Sequence, residues 1–308
     1  MRLSLLILSC VLASAWNVPA FAQGKIDIFA CEPQWAALAK ELTGDAAVIT
    51  TAAGTREDPA KVQVTDKLVS AIRRAKLVFC SGGGMESTWL PALLAKTPNP
   101  SVQAGSSGNL MAIDFVIPLD LPATAPDAVG SANSPADAET GANPNVHLNP
   151  HNIMLVAEEF QKRLSEIDPD NRSLYEKQYN KFFERWQDAM DRWEQSTAGL
   201  FGLTVATDDD FLAYLVDWLG LTNVGTVEED GAPPSKAHMK DLIETLKKRP
   251  VRVILCTPFD TSGAAKQLAA ATGTKILVLP YTVGGDNESG DLFALFDRTL
   301  GLLETLNS

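Results

Sequence analysis

Three segments of this chain carry side chains that can bind a metal ion. Asn143 to Asn152 reads N-P-N-V-H-L-N-P-H-N and contains His147 and His151, while Asp208-Asp209-Asp210 and Glu228-Glu229-Asp230 are purely acidic. Carboxylate oxygens suit hard cations such as Mn²⁺, Ca²⁺ or Mg²⁺ better than they suit Zn²⁺. If the two acidic segments face each other, their chemistry favours a hard divalent cation.

The same side chains also have ordinary structural uses. Asp208 and Asp209 follow the predicted strand 203–206 and precede a helix, so one of them can cap free N–H groups there. Glu228 and its neighbours follow the next predicted strand and can form an exposed turn. His147 can pack or hydrogen-bond locally. The sequence leaves both uses open for each residue.

Alternating strands and helices must position these residues. The predicted strands are 26–30, 46–51 and 77–80 in the first half, and 203–206, 223–227, 251–256 and 275–279 in the second. This alternation predicts an α/β fold with two parallel-sheet domains and helices on both faces of each sheet. In such sheets, functional groups gather beyond the carboxyl ends of the strands.

One long helix is predicted to join the two halves. Asp168-Pro169-Asp170 is a helix start signal, and aromatic or aliphatic residues recur at steps of three to five from Leu174 to Trp193. A helix over 170–197 would be roughly 42 Å long, enough to run along two stacked domains. We therefore expect a rigid connection between the two domains.

The chain begins with a predicted secretory signal. A single charge at Arg2, an apolar run from Leu3 to Val11 and the sequence Ala20-Phe21-Ala22 are typical of a cleavable signal peptide. The run is too short to span a bilayer, so we expect a periplasmic protein that does not span the membrane. The predicted divisions are a signal peptide at 1–22, an N-terminal domain at 23–168 with a mobile loop at 121–145, a linking helix at 169–198 and a C-terminal domain at 199–308.

Charge and motif content exclude several classes of function. The formal net charge of −12 argues against a nucleic-acid partner, which would call for a basic face. The sequence shows no nucleophile–base pair, and Ser81-Gly82-Gly83-Gly84 reads as a tight turn rather than a phosphate-binding loop. We therefore expect no enzymatic activity and no organic cofactor, and we expect a monomer.

Three cysteines lie beyond the predicted signal. Cys31, Cys80 and Cys256 each end a strand-like run. Parallel strands can place Cys31 near Cys80, which allows a disulfide in an oxidising compartment and leaves one thiol over. Buried core thiols are the other structural alternative, and a soft-metal site that includes Met85 is the functional one.

Motifs along nearly the whole mature chain resemble one protein family. They are F-A-C-E-P-Q-W at 29–35, E-D-P at 57–59, W-L-P at 89–91, N-P-H-N at 149–152, Y-L-V-D-W-L-G-L at 214–221, P-P-S at 233–235 and L-P-Y-T-V-G-G at 279–285. In order and spacing they resemble the zinc/manganese solute-binding proteins of bacterial ABC importers. The resemblance implies a divalent metal ion as cargo, bound between two α/β domains, and an inner-membrane ABC permease as partner.

The resemblance fails at the residues that bind the metal in that family. Ala60, Asn145 and Asp209 stand where the family has histidines, and Pro280 stands where it commonly has an aspartate. Ala and Pro side chains offer no ligand atom. The resemblance thus implies a non-standard or weakened site that favours Mn²⁺ or another hard cation over Zn²⁺. The candidate ligands are Asp209, Asp208, His147, Asn145 and Glu228. The alternative is a degenerate paralogue that binds no metal and acts as an accessory or interaction protein.

Overall fold

The computed structural model describes residues 24–119, 142–229, 231–259 and 263–307. The predicted signal peptide and residues 121–141 of the predicted mobile loop lie outside the described residues. Asp230, in the second acidic segment, lies outside them as well. Within these ranges, no helix combines the length and the apolar character that crossing a membrane requires.

The first α/β unit is a four-stranded parallel sheet. Its strands are β1 (Ile26–Ala30), β2 (Ala47–Thr51), β3 (Leu77–Cys80) and β4 (Asn109–Met111), in the order β2-β1-β3-β4. Its helices are α1 (Pro33–Thr43), α2 (Asp66–Arg74) and α3 (Leu90–Ala95). Every residue of β3 is buried, as expected for a strand covered on both faces. The strand order reverses between β1 and β3.

Two consecutive helices follow this sheet. Helix α4 (Pro150–Ile167) begins after Asn149, whose side chain accepts a hydrogen bond from the N–H of His151. Helix α5 (Arg172–Thr197) has 26 residues, which gives it a length of about 39 Å. It starts two residues later than the sequence predicts, because Pro169–Asn171 forms a separate 3-10 turn.

The second α/β unit repeats the topology of the first. Its strands are β5 (Thr204–Thr207), β6 (Thr222–Thr226), β7 (Val253–Cys256) and β8 (Lys275–Val278), in the order β6-β5-β7-β8 and all parallel. Its helices are α6 (Ala213–Trp218), α7 (Lys236–Lys248), α8 (Ala264–Thr272) and α9 (Leu292–Glu304). The reversal in strand order lies between β5 and β7. The predicted pair of parallel-sheet units is therefore confirmed.

Helix α5 connects the cores of both units. It packs on α1 and α4 of the first unit and on α9 of the second. The ring of Trp186 lies 4.9 Å from that of Phe293, and the ring of Trp193 lies 4.9 Å from that of Phe296. The indole N–H of Trp186 donates to the carbonyl of Pro150 at 2.9 Å. This aromatic cluster joins α5 to α9 of the second unit.

The short strand β4 was not predicted. It contains only Asn109-Leu110-Met111, and only Leu110 is fully buried. A three-residue run has no measurable alternation of apolar and polar positions. It pairs with β3 because the parallel edge of β3 would otherwise leave backbone groups without partners.

Replacing Trp186 with alanine should lower the free energy of unfolding by about 3–5 kcal/mol, since Trp186 is 0% exposed and its loss leaves a cavity between the units. Urea unfolding followed by circular dichroism measures the change. Gln187→Ala, at the adjacent exposed position of α5, is the matched control and should change the value by less than about 0.5 kcal/mol. Equal effects of the two substitutions would contradict the role assigned to this cluster.

Candidate functional site

In each sheet, a carboxylate accepts equivalent hydrogen bonds at the point where the strand order reverses. Beyond β1, Oε2 of Glu32 accepts hydrogen bonds from the N–H of Ser81 at 3.2 Å and from its hydroxyl at 3.0 Å. Beyond β5, Oδ2 of Asp208 accepts from the N–H of Thr257 at 2.8 Å and from its hydroxyl at 3.4 Å. Ser81 and Thr257 are the first residues after β3 and β7. Reversal points of this kind are where α/β sheets bind ligands.

Asp209 is a second buried carboxyl at the reversal point of the second sheet. It is 8% exposed. Its Oδ1 accepts from the N–H of Phe211 at 2.8 Å, and its Oδ2 from the hydroxyl of Thr257 at 3.2 Å. Burial, together with the charge of Asp208 and a smaller effect of Glu228, raises the pKa of Asp209 to about 8. An anionic Asp209 therefore needs a positive partner to be stable in this position.

Asn145, in the first unit, contacts Tyr281 of the second unit. Its Oδ1 accepts a hydrogen bond from the hydroxyl of Tyr281 at 2.5 Å, and its amide N–H donates to Oδ1 of Asn143 at 2.9 Å. Asn143 in turn donates to the carbonyl of Asp210 at 2.7 Å. The Asn143–Asn145 segment thus contacts both Tyr281 and the Asp208–Asp210 turn.

Tyr281 lies among the carboxylates of both units. Burial, followed by the negative charges of Glu32, Asp209, Glu86 and Asp58, raises the pKa of its hydroxyl well above the usual value. Its ring packs on Phe211, with 5.4 Å between the ring centroids. The sequence prediction overlooked this residue because it considered only Pro280 in the L-P-Y-T motif. The tyrosine next to Pro280 could have been singled out as a candidate site residue, because it is the one aromatic residue in that motif and carries an oxygen.

His147 is buried in the contact between the units. One ring nitrogen, Nε2, lies 2.9 Å from the carbonyl oxygen of Tyr281, and Nδ1 lies 3.4 Å from Nε2 of Gln34. Gln34 also accepts a hydrogen bond from the hydroxyl of Thr282 at 2.6 Å. Both ring nitrogens are thus engaged, and burial lowers the pKa of the imidazole to about 4. In this arrangement His147 holds the units together as a neutral ring.

Of the other residues singled out in the sequence, Glu228 lies beside Asp208, whereas His151 and His238 have other partners. The N–H of Glu228 donates to the carbonyl of Asp208 at 2.8 Å, so the second acidic segment does lie beside the first. His151 pairs with an exposed glutamate of α5 at 3.1 Å, and His238 lies 2.9 Å from a backbone carbonyl of β6. In the part of the chain that the structure describes, these side-chain hydrogen bonds of the two histidines do not involve Tyr281, Asn145 or Asp209.

The distances between possible metal-ligand atoms identify a group of residues other than those around Asp209. Within the described ranges, Cys31, Cys80 and Glu86 are the one set of three His, Cys, Asp or Glu residues whose ligand atoms all lie within 4.8 Å of one another. Asp208, Asp209 and Glu228 do not meet this spacing. Cys31 and Cys80 form a disulfide, one of the alternatives that the sequence left open, and Cys256 is buried outside it.

The stability of the protein should depend on pH through His147. Its pKa is about 4 when folded and about 6.5 when unfolded, so the unfolded chain binds more protons between these values. Stability is then lost as pH falls through this window, by an amount on the order of 3 kcal/mol. His147→Gln keeps an amide donor for Tyr281 and should flatten this part of the pH profile. Urea unfolding between pH 4 and 7 measures the effect, and parallel profiles for the two proteins would contradict it.

Comparisons with known proteins bear on the family and the fold of this chain. A family model described as the periplasmic zinc-uptake complex component A matches residues 28–305. The zinc-binding lipoprotein AdcA of Streptococcus pneumoniae is 25% identical over 273 residues, covering 84% of this chain and 50% of AdcA. The manganese ABC transporter substrate-binding lipoprotein scaA of Streptococcus gordonii is 24% identical over 289 residues, covering 88% of this chain and 85% of that protein.

The fold has solved relatives. The crystal structure of ZnuA superimposes with a TM-score of 0.74 at 20% identity, and the match covers 92% of this chain and 100% of that one. The chain spans about half the length of AdcA, the longer of the two curated relatives. The resemblance drawn from the sequence motifs is confirmed.

Proposed function

Because the chain belongs to the family of periplasmic zinc-uptake components, whose model matches residues 28–305, we propose that it binds a hard divalent cation between its two α/β units. The cation would be handed to an inner-membrane ABC permease. The family consists of binding components, in agreement with the expectation that the chain is not an enzyme. The proposal places a monomeric mature protein in the periplasm after removal of a signal peptide.

The observation that carries the proposal is the buried carboxyl of Asp209. Its surroundings raise its pKa to about 8, so a proton or a cation must compensate its charge. The hydroxyl of Tyr281 and Oδ1 of Asn145 lie 2.5 Å apart, and the charge of Asp209 acts on that hydroxyl. These ligand atoms are all oxygen, which favours Mn²⁺, Mg²⁺ or Ca²⁺.

Zinc should bind weakly at this position. Ala60 and Pro280 supply no ligand atom, and both nitrogens of His147 already have partners. The Asn145 oxygen also accepts the Tyr281 hydroxyl, so a cation would have to share or displace that hydrogen bond. Giving up a buried hydrogen bond costs about 1–3 kcal/mol. Mn²⁺ remains our preferred cargo over Zn²⁺ because the available donors are carboxylate, amide and phenol oxygens.

A second function is favoured by the hydrogen bonds between the units. Tyr281 to Asn145, Asn143 to Asp210 and Thr282 to Gln34 join the units directly, without an ion. A protein held closed in this way would suit the alternative role, a paralogue that has lost metal binding and acts on another component of an importer. Metal titration separates the two functions.

Adding Mn²⁺ should raise the melting temperature of the purified mature protein. A cation that binds only the folded state at a hundredfold excess over Kd stabilises it by about 2.7 kcal/mol. Asp209→Asn should abolish this gain, whereas Asp210→Asn, at the adjacent half-buried position, should keep it. Differential scanning fluorimetry at constant ionic strength measures the shifts. Equal shifts in both variants would indicate nonspecific screening and would favour the accessory role.

Zinc affinity should rise when the missing histidines are restored. The triple variant Ala60→His, Asn145→His and Asp209→His supplies three imidazole ligands and should bind Zn²⁺ at least an order of magnitude more tightly than the parent. Calorimetric titration in competition with a chelator measures both affinities. A nanomolar Zn²⁺ affinity in the parent that Asp209→Asn removes would contradict the proposal. A folded triple variant with no gain would show that these positions do not converge.

A further inference from the structure

The carboxyl ends of β1 and β3 carry a group of ligand atoms that the proposed cation site does not use. The Sγ atoms of Cys31 and Cys80 and a carboxylate oxygen of Glu86 lie within 4.8 Å of one another. The two cysteines are 0% exposed and Glu86 is 4% exposed. A tetrahedral zinc ion, with bonds of about 2.3 Å to sulfur and 2.0–2.2 Å to oxygen, spaces its ligand atoms roughly 3.5–4 Å apart. The two sulfurs are joined in a disulfide, so the group can take up this spacing only after that bond is opened.

A second carboxyl lies against this group with an oxygen that lacks a donor. Glu32 is 1% exposed. Its Oε2 accepts from Ser81, but its Oε1 is buried and receives no hydrogen bond from any N–H or O–H group in the described ranges. Its carboxyl can hydrogen-bond that of Glu86 only if one of the two carries a proton. A buried carboxylate oxygen without a hydrogen-bond donor destabilises the folded protein until a proton or a cation binds to it.

Glu86 itself is held in place by the backbone. It accepts hydrogen bonds from the N–H of Ser81 at 2.8 Å and from that of Gly82 at 3.1 Å. Gly82, Gly83 and Gly84 all have positive φ values, a conformation that glycine adopts without strain. These N–H groups orient the carboxylate towards the end of the sheet, where the two cysteines also lie.

We propose that reduction of the Cys31–Cys80 disulfide creates a buried zinc site formed by both cysteine thiolates, Glu86 and, as fourth ligand, Glu32. A dithiol reductant supplies two electrons and two protons, so that its own sulfurs form a disulfide and the Cys31–Cys80 bond becomes two thiols. Zn²⁺ then binds both sulfurs, and the protons on the thiols and on the ligating carboxyls leave to solvent.

The ligands of this site differ from those of the proposed cargo site, Asp209, Asn145 and Tyr281, although the charges of Glu32 and Glu86 act on the Tyr281 hydroxyl. The site exists only when the disulfide is open. In the oxidised protein each sulfur is bonded to the other and cannot act as a thiolate ligand. Zinc binding here is therefore coupled to the redox state of one cysteine pair.

The mature protein, reduced with dithiothreitol and desalted under argon, tests the site. Zinc titration against a chromophoric chelator should show one equivalent that the oxidised protein does not bind. Cobalt in its place should show sulfur-to-cobalt charge-transfer absorption. Cys31→Ser and Cys80→Ser should each abolish that equivalent, and Glu86→Gln should weaken it at least tenfold. Cys256→Ser and Asp209→Asn should keep it, the latter whether or not the cargo site exists.

Several results would overturn the site. They are equal zinc binding by the reduced and oxidised proteins, equal losses in Cys256→Ser and Cys31→Ser, and a reduced chain that loses its near-ultraviolet circular dichroism. Glu86→Gln retains both cysteines and the disulfide, so it remains informative if the serine variants do not fold. Unchanged affinity in that folded variant would also contradict the proposal.

Discussion

The architecture depends on keeping buried carboxylates in place at the reversal points of two parallel sheets. Glu32 and Asp208 each accept an N–H and a hydroxyl hydrogen bond from the residue that follows the third strand of their unit. Burying an unpaired carboxylate costs several kcal/mol, so these donors are required for the strand ends to pack at all. Glu32 of the first unit and Asp209 of the second both act on the Tyr281 hydroxyl, so acidic groups of both units set the chemistry of the contact between them.

A cation at this position would compete with hydrogen bonds within the protein for the same ligand atoms. Asn145 has one side-chain oxygen, which here accepts the Tyr281 hydroxyl. Both ring nitrogens of His147 have partners, and its neutral ring fits a buried contact between the units. In the proposed function, a cation would gain from the carboxyl of Asp209 but would have to displace contacts that already hold the units together. This balance is the reason that we propose weaker binding than three imidazoles would provide, and a preference for oxygen-preferring ions over zinc.

Local sequence patterns were sufficient to predict the fold but not the candidate site. β1 and β3 have the predicted bounds, because runs of apolar residues are local signals. β4 was missed because three residues carry no periodicity. Tyr281 and the Glu32–Glu86 contact were also missed, since both depend on which segments meet across long separations in sequence. The disulfide was one of several alternatives, and only the pairing of β1 with β3 brings Cys31 to Cys80.

Anomalous diffraction from crystals grown with Mn²⁺, recorded at the manganese absorption edge, tests the central claim most directly. The account predicts a single strong peak between the two units, about 2.0–2.6 Å from a carboxylate oxygen of Asp209, with the Asn145 or Tyr281 oxygen also in contact. Crystals of a well-ordered protein with no anomalous peak near Asp209, while Tyr281 still bonds Asn145, would contradict it.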